Sequence, residues 1–293
     1  MAKRRKLIIK TLRIGSLLGR GGFGSVFEAT LRGKKYAVKQ MHRTAKNPRA
    51  MQESMEAEKL ILALKHPNIV QTFAVLETEN MEDVLIIMEF AGSRNLQTVI
   101  DNDRETLDSK RRLNFACDIT KALEAIHNKN IAHLDLKPSN IIVNSHDVCK
   151  LADFGCCQVT DPYELSADSL LPPSPTHSPS ARSFLTGTFA YRAPELLKGE
   201  PATVKADIYS LGICLWQMLT REQPYGLESQ FVVIFGVVAN QLRPSLASVS
   251  CDRQEGKHEL YIELITALWL ADPVKRPNAN QVTKKLRTLQ AFE

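Results

Sequence analysis

The chain has 293 residues, 44% of them hydrophobic and 24% charged, a balance that excludes a disordered or fibrous polymer. Its length sits near the size where single cores split, so one large unit or two closely docked lobes is expected. Lysine and arginine exceed aspartate and glutamate by 38 − 32 = 6. That excess suits phosphate-bearing or acidic partners, but no basic run is dense enough to point to nucleic acid.

The opening stretch MAKRRKLIIK is basic and then briefly apolar, with no small-residue cleavage site after it. Residues 1–11 therefore read as a solvated tail leading into a strand, with nuclear localisation as the alternative. Strands broken by turns are expected over residues 12–39: Leu17-Leu18 before a glycine cluster, Ser25-Val26-Phe27, a turn at Arg32-Gly33, then Tyr36-Ala37-Val38. A helix is expected from about Gln52 to Leu64, after the breaker Asn47-Pro48, and a buried strand at Val84–Met88. Helical spacing dominates from about Asp108, as in Leu113, Ala116, Leu123 and Ile126, and again in Leu260, Leu264 and Leu268. The order is a small strand-rich part followed by a larger helical part, with the joint near Glu89 to Ser93. Asp168 to Arg182 is rich in Pro and Ser and reads as a mobile surface loop. No apolar stretch reaches about 18 residues, so no spanning helix is expected. Six cysteines without a CxxC pair or zinc spacing indicate reduced thiols and a cytoplasmic setting.

Gly19-Arg20-Gly21-Gly22-Phe23-Gly24 spells GxGxxG. A dinucleotide fold needs such glycines to open a helix, whereas here a strand follows, and no GKS or GKT completes a P-loop. The remaining readings are a flexible turn or a strand–loop–strand flap whose backbone N–H groups can approach phosphate oxygens. Lys39 ends the strand Tyr36-Ala37-Val38 and alone would read as a solvated lysine. In the next helix Met51, Met55, Glu58 and Leu62 share one stripe of a 3.6-residue period, which puts Glu58 on the apolar face and leaves Glu53 and Glu56 outside it. A carboxylate on a buried face needs a cation, and Lys39 is the best placed.

His133-Leu134-Asp135-Leu136-Lys137-Pro138-Ser139-Asn140 packs an acid, a cation and an amide just after a helix, where a polar turn is the plain alternative. Asp153-Phe154-Gly155 and then Ala193-Pro194-Glu195 follow in order. Taken together, the glycine flap, YAVK, DLKPSN, DFG and APE resemble the eukaryotic protein kinases, over residues 12–290. The resemblance implies an α+β bilobal fold, with a β-rich N-lobe at 12–90, a mainly helical C-lobe at 91–293, and residues 1–11 as a tail. It implies phosphoryl transfer from ATP with Mg2+ to a protein Ser or Thr hydroxyl. Asp135 would accept the hydroxyl proton and Lys137 would steady the γ-phosphate. Lys39, held by Glu58, would grip the α/β-phosphates, while Asn140 and Asp153 would hold the metal. Leu18, Gly19, Arg20, Gly21, Gly22, Phe23, Gly24, Val26 and Ala37 would cover the nucleotide, with Met88 behind the adenine and Glu89 and Ala91 offering it backbone groups. Glu195 would pair with Arg276, Thr188 would contact Asp135, and Asp207 would brace the catalytic loop.

Further wording (HLDLKP, LADFGC, RAPELLKGE, KADIYS, LWQM, LRPSL) resembles one branch of the family and implies a MAP kinase kinase as the protein substrate, in oocyte meiotic maturation. Neither a nucleic-acid nor a membrane partner is expected, and the chain reads as a monomer. The rival readings are a pseudokinase scaffold and a small-molecule kinase. The polar set Lys39, Glu58, Asp135, Asn140 and Asp153 speaks against the first, and the GTFAYRAPE segment, which builds a peptide floor, against the second. Two positions depart from the family pattern. Leu134 stands where most members carry an arginine that binds an activation-loop phosphate, so activity is expected not to depend on that contact. The stretch between Asp153 and Glu195 is long, and its Ser174-Pro175 and Ser178-Pro179 fit proline-directed phosphorylation, with an unconstrained spacer as the alternative. Cys156 and Cys157 read as inert small residues rather than reactive thiols.

Overall fold

A computed structural model describes residues 11–21, 24–42, 48–77, 83–160, 188–247 and 255–291. Alternating side chains drive the first of these into an antiparallel sheet of β1 (Arg13–Gly21), β2 (Gly24–Leu31), β3 (Lys34–His42), β4 (Thr72–Glu77) and β5 (Asp83–Glu89), in the order β1-β2-β3-β5-β4. The β2–β3 turn is two residues, Arg32 and Gly33, both at positive φ (52° and 77°), the geometry that matches the twist of a hairpin. Along β3 the period of two separates two apolar faces. Ala37 and Met41 join Met51, Met55, Ile86 and Met88 on one side, while Val38 joins Ala29, Leu85 and Ile87 on the other. Lys39 therefore projects toward the first face, between the sheet and the helix that covers it.

That helix, α1, spans Pro48–Leu60, several residues nearer the N-terminus than the span read from the sequence. Proline is tolerated in a first helical turn because its missing N–H would have no partner there. Past Leu60 the bonds tighten to Leu62 N to Lys59 O and Leu64 N to Ile61 O, and the chain leaves the helix before Pro67. Met51, Met55 and Glu58 are all buried, whereas Glu53 and Glu56 bond to Arg49 and Lys59 on the exposed side.

The larger lobe packs α2 (Leu96–Ile100), α3 (Ser109–His127), α4 (Pro194–Leu197), α5 (Lys205–Thr220), α7 (Glu255–Leu268) and α8 (Ala279–Ala291) around one apolar cluster, while α6 (Gln230–Ala239) packs Val233 and Val237 on Leu197 in a smaller one. α5 is buried on every side from Ala206 to Met218, the pattern of a central helix. Its carboxylate, Asp207, is wholly buried. The short strands β6 (Ile131–Ala132), β7 (Ile141–Val143), β8 (Cys149–Leu151) and β9 (Gln158–Val159) carry the loops that face the sheet.

Among the described residues two main-chain links join the lobes. One is the segment after β5. The other pairs the stretch after α1 with β8: Val70 N donates to Leu151 O, Leu151 N to Asn68 O, and Asn68 Nδ2 to Cys149 O, all within 2.8–3.0 Å. Glu195 and Arg276 clamp the base of the larger lobe. The guanidinium meets both carboxylate oxygens at 2.6 and 2.8 Å and gives its other N–H groups to the carbonyls of Leu270, Lys205 and Ala271.

Candidate active site

Between the lobes lies a cleft of about 350 Å³. Its roof is the β1–β2 flap, where Leu18, Gly19, Arg20, Gly21, Gly24 and Val26 line the cavity. Gly24 is required for close approach, because a Cβ there would stand 2.1 Å from Gln40 O on β3. Gly22 and Phe23 lie outside the described residues, as do residues 1–10, the segment 168–182 with Ser174 and Ser178, and the side chain of Thr188. Ala37, Met88, Glu89 and Ala91 form the back wall. The Glu89 carboxylate turns away to Lys150 Nζ at 2.9 Å and Gln71 N at 3.2 Å, so backbone is what this residue offers a ligand.

Lys39 Nζ stands 3.0 Å from Glu58 Oε1 and 2.6 Å from Asp153 Oδ1. Burial alone would discharge the lysine, but the two carboxylates outweigh it and hold the ammonium charged, its pKa raised. Burial raises Glu58 against the opposing pull of Lys39. For Asp153, burial acts upward but the Lys39 charge and hydrogen bond overcome it, bringing the group down to about 2. Glu58 does not line the cleft; it acts from behind through Lys39. Asp153 adopts φ 60°, a left-handed conformation that aspartate tolerates better than most residues. Phe154 is buried edge-on against His133, with ring centroids 4.9 Å apart. Gly155 fits against α1 only without a side chain, since a Cβ would fall 2.4 Å from Ser54 Oγ.

On the floor Asn140 Nδ2 donates to Asp135 O and Oδ2, both at 2.9 Å, and Lys137 Nζ lies 2.9 Å from Asp135 Oδ2. The loop that carries them is fixed from below. Asp207 accepts His133 N at 2.7 Å and Leu134 N at 2.8 Å, and its Oδ2 also meets His127 Nε2 at 2.9 Å. Leu134 adopts φ 62° and packs its side chain on the apolar core, as a hydrocarbon in place of an arginine must. Beyond it, Thr188–Tyr191 and α4 form a ledge tied to α5 by Ser210 Oγ to Tyr191 O (2.8 Å) and Tyr191 OH to Gln217 Oε1 (2.6 Å).

Fifteen of the predicted residues thus surround one cavity, with Glu58 behind them. The remaining lining residues, Val70, Gly92, Ser93, Asn95, Ser139, Ile142, Ala152 and Cys156, were not assigned to the site from the sequence. Ile142 sits in the middle of β7, directly after the turn Pro138–Asn140, and Val70 lies in the lobe link; neither carries a local signal. The Cys156 thiol is pushed up to about 12 by burial and by Asp135 and Asp153, while Cys157 Sγ donates to Ala57 O at 3.1 Å. The five cysteines among the described residues are free thiols. Among those residues no helix is long and apolar enough to cross a membrane.

Comparison with known proteins matches residues 12–286 to the protein kinase domain. A serine/threonine-protein kinase mos from Patiria pectinifera is 46% identical over 271 residues, covering 92% of this chain and 72% of that protein. Proto-oncogene serine/threonine-protein kinases mos are 42% identical in Sus scrofa (over 291 residues) and in Mus musculus (over 287), with 79% of each relative covered.

Proposed function

Because the chain belongs to the protein kinase family, among the serine/threonine kinases related to Mos, we propose that it phosphorylates a MAP kinase kinase in the cytoplasm and so drives a MAP kinase cascade in oocyte meiotic maturation. The single observation carrying the catalytic part is the ammonium of Lys39 held between Glu58 and Asp153 at the wall of a cleft that also contains Asp135. A scaffold that only bound nucleotide would not need a proton acceptor so framed.

ATP with Mg2+, when bound, supplies the phosphoryl group and a cation that spreads its developing charge. The chain fits such a metal. Asn140 spends its amide nitrogen on Asp135, which leaves its oxygen as a ligand, and the Asp153 carboxylate is 42% exposed toward the cleft. Two hard oxygen ligands completed by phosphates and water suit Mg2+. Among the described residues no group of three or more His, Cys, Asp or Glu could hold a metal without such help. The flap residues Gly19, Arg20, Gly21 and Gly24, which roof the cleft, exclude water above the phosphates. Lys39 orients the α/β-phosphates, its charge kept by Glu58. Asp135, aligned by Asn140, accepts the proton from the Ser or Thr hydroxyl, and Lys137 lies beside it to meet the γ-phosphate. The monomer is sufficient for this chemistry, since every group named comes from one chain.

The test is transfer of labelled phosphate from ATP to purified MAP kinase kinase. Asp135→Asn should cut transfer by roughly 10²–10⁴-fold with nucleotide binding kept. Undiminished turnover in that variant would remove Asp135 from its role; absence of transfer by the intact chain would favour the scaffold reading.

A further inference from the structure

The helix α6 carries apolar side chains on its outer face as well as its inner one. Inward, Val233 and Val237 are buried beside Leu197, with Phe189 of the ledge packed against the same cluster. Outward, Phe231 is 75% and Phe235 67% exposed, one turn apart on a single stripe. Leu227, 100% exposed, precedes the helix, and the exposed Val232 lies next to Phe231. Leu242 closes the far end of the stripe: its N–H donates to Gly236 O at 2.9 Å, and a Cβ on Gly236 would fall 2.7 Å from its side chain. Taken at about 200 Å² for a whole aromatic side chain and less for leucine and valine, these five residues present roughly 600 Å². That is the upper end of the largest apolar patch on a soluble monomer, about 300–600 Å², and patches of that size commonly mark interaction sites.

Place, area and charge select the occupant. The inner face of α6 rests on Phe189, so the patch continues the ledge that the family resemblance makes the peptide floor. Its area falls short of the roughly 800 Å² per partner of a stable interface, so a second copy seated here alone would be held weakly, whereas a protein also held at the ledge covers enough. Between residues 222 and 242 the only charged side chains are Glu222 and Glu228. The flanking Arg221 and Arg243 give N–H groups to the carbonyls of Asn102, Glu105 and Trp269. Such a rim is repelled by an anionic membrane and suits a partner with lysine or arginine beside its apolar surface.

We propose that the outer face of α6 is a docking surface for the folded protein substrate, engaged away from the residue that is phosphorylated. An apolar pad on the substrate, flanked by basic residues, covers Phe231 and Phe235, and the ledge receives the segment to be modified. The patch then sets affinity for the whole protein, and the cleft sets turnover. The inference rests on the reading of the chain as a kinase that acts on a MAP kinase kinase.

The test compares the parent with Phe231→Ser/Phe235→Ser in phosphate transfer to intact purified MAP kinase kinase and to a short synthetic peptide carrying its phosphoacceptor segment. Binding of the intact MAP kinase kinase to each immobilised chain is measured alongside. The double variant should raise KM for the intact protein at least about tenfold, the loss expected when central interface side chains are removed, and weaken binding to match. Its kcat, its KM for ATP and its transfer to the peptide should stay within about twofold. Leu227→Ser, at a side chain with no packing to lose, should raise the same KM about threefold, and it decides the matter if the double variant fails to fold. The proposal is overturned if KM and binding for the intact protein stay within about twofold, or if transfer to the peptide falls equally, which would give the patch a role inside the kinase itself. It is also overturned if the parent dimerises by light scattering, or binds phosphatidylserine vesicles, and the double variant does not, since the face would then belong to a second copy or to lipid. If the parent transfers no phosphate to MAP kinase kinase, it is the kinase reading that fails, and binding alone decides: weaker retention by the double variant supports docking, and equal retention overturns it.

Discussion

Replacing Asp207 with Asn tests how the catalytic loop is held. The wild-type carboxylate is wholly buried and accepts His133 N, Leu134 N and the His127 ring at 2.7–2.9 Å. Asparagine keeps the shape but turns one oxygen into a donor, which then faces a backbone N–H. One hydrogen bond to a charged acceptor is lost, worth about 1.5–3 kcal/mol, and the orphaned N–H costs about 1–3 kcal/mol more if it cannot reach water. These overlap, so about 3 kcal/mol is a fair central figure. The loop has reason to leave: the left-handed φ of Leu134 itself costs about 1–2 kcal/mol, which only the docked arrangement repays. Asp207→Asn should therefore lower the melting temperature by roughly 6–12 °C. It should also lower kcat by about 100-fold as Asp135 loses its place, with KM for ATP little altered because the flap and back wall are untouched. Scanning calorimetry and phosphate transfer at saturating ATP measure the two. Melting within about 2 °C of the parent together with turnover within twofold would refute the reasoning, because Asp207 would then be a bystander.

Other outcomes follow from the same geometry. Glu195→Ala strands the Arg276 guanidinium, which is 0% exposed, and should cost about 3–5 kcal/mol in urea unfolding; a double replacement of both partners by apolar residues should be milder than either single change. Asp153 has its carboxyl lowered to about 2, so its contribution to stability is complete above the unfolded value near 3.9 and is lost as pH falls through the folded value. Its side chain is 42% exposed, so screening reduces that contribution to about 1 kcal/mol, read as a loss between roughly pH 4 and pH 2 that Asp153→Asn should lack. The Cys156 thiol, pushed up to about 12, should resist alkylation at neutral pH despite lining the cleft; rapid labelling, located by mass spectrometry, would show that the thiol is not held neutral.

The β2–β3 hairpin and the Lys39–Glu58 partnership were legible because each is carried by turn residues or by periodicity in an apolar context, whereas the Glu195–Arg276 clamp was legible only through the family resemblance. Glu58 could be chosen over Glu53 and Glu56 on helical phase alone. The limits of α1 were not legible, since a proline breaker also serves as a first helical residue. Strand β4 (Thr72–Glu77) went unread because its partly exposed face, with Phe73 at 46%, blurs the alternation. The β6 and β9 pair is only two residues long on each side, and such strands exist through contacts set elsewhere in the chain.

Both links between the lobes run past β8. Lys150 holds the Glu89 carboxylate where the sheet ends, and the neighbouring Leu151 exchanges backbone bonds with the stretch after α1. Main-chain tethers placed side by side at the rear favour a swing about a line through β8 over sliding, with the Lys39–Asp153 and Cys157–Ala57 contacts limiting its range. Displacement in such a swing grows with distance from the pivot, so the flap tip travels farthest and Met88 least. Nucleotide entry and exit can then proceed by lifting the front lip, while the wall that recognises the purine stays nearly still.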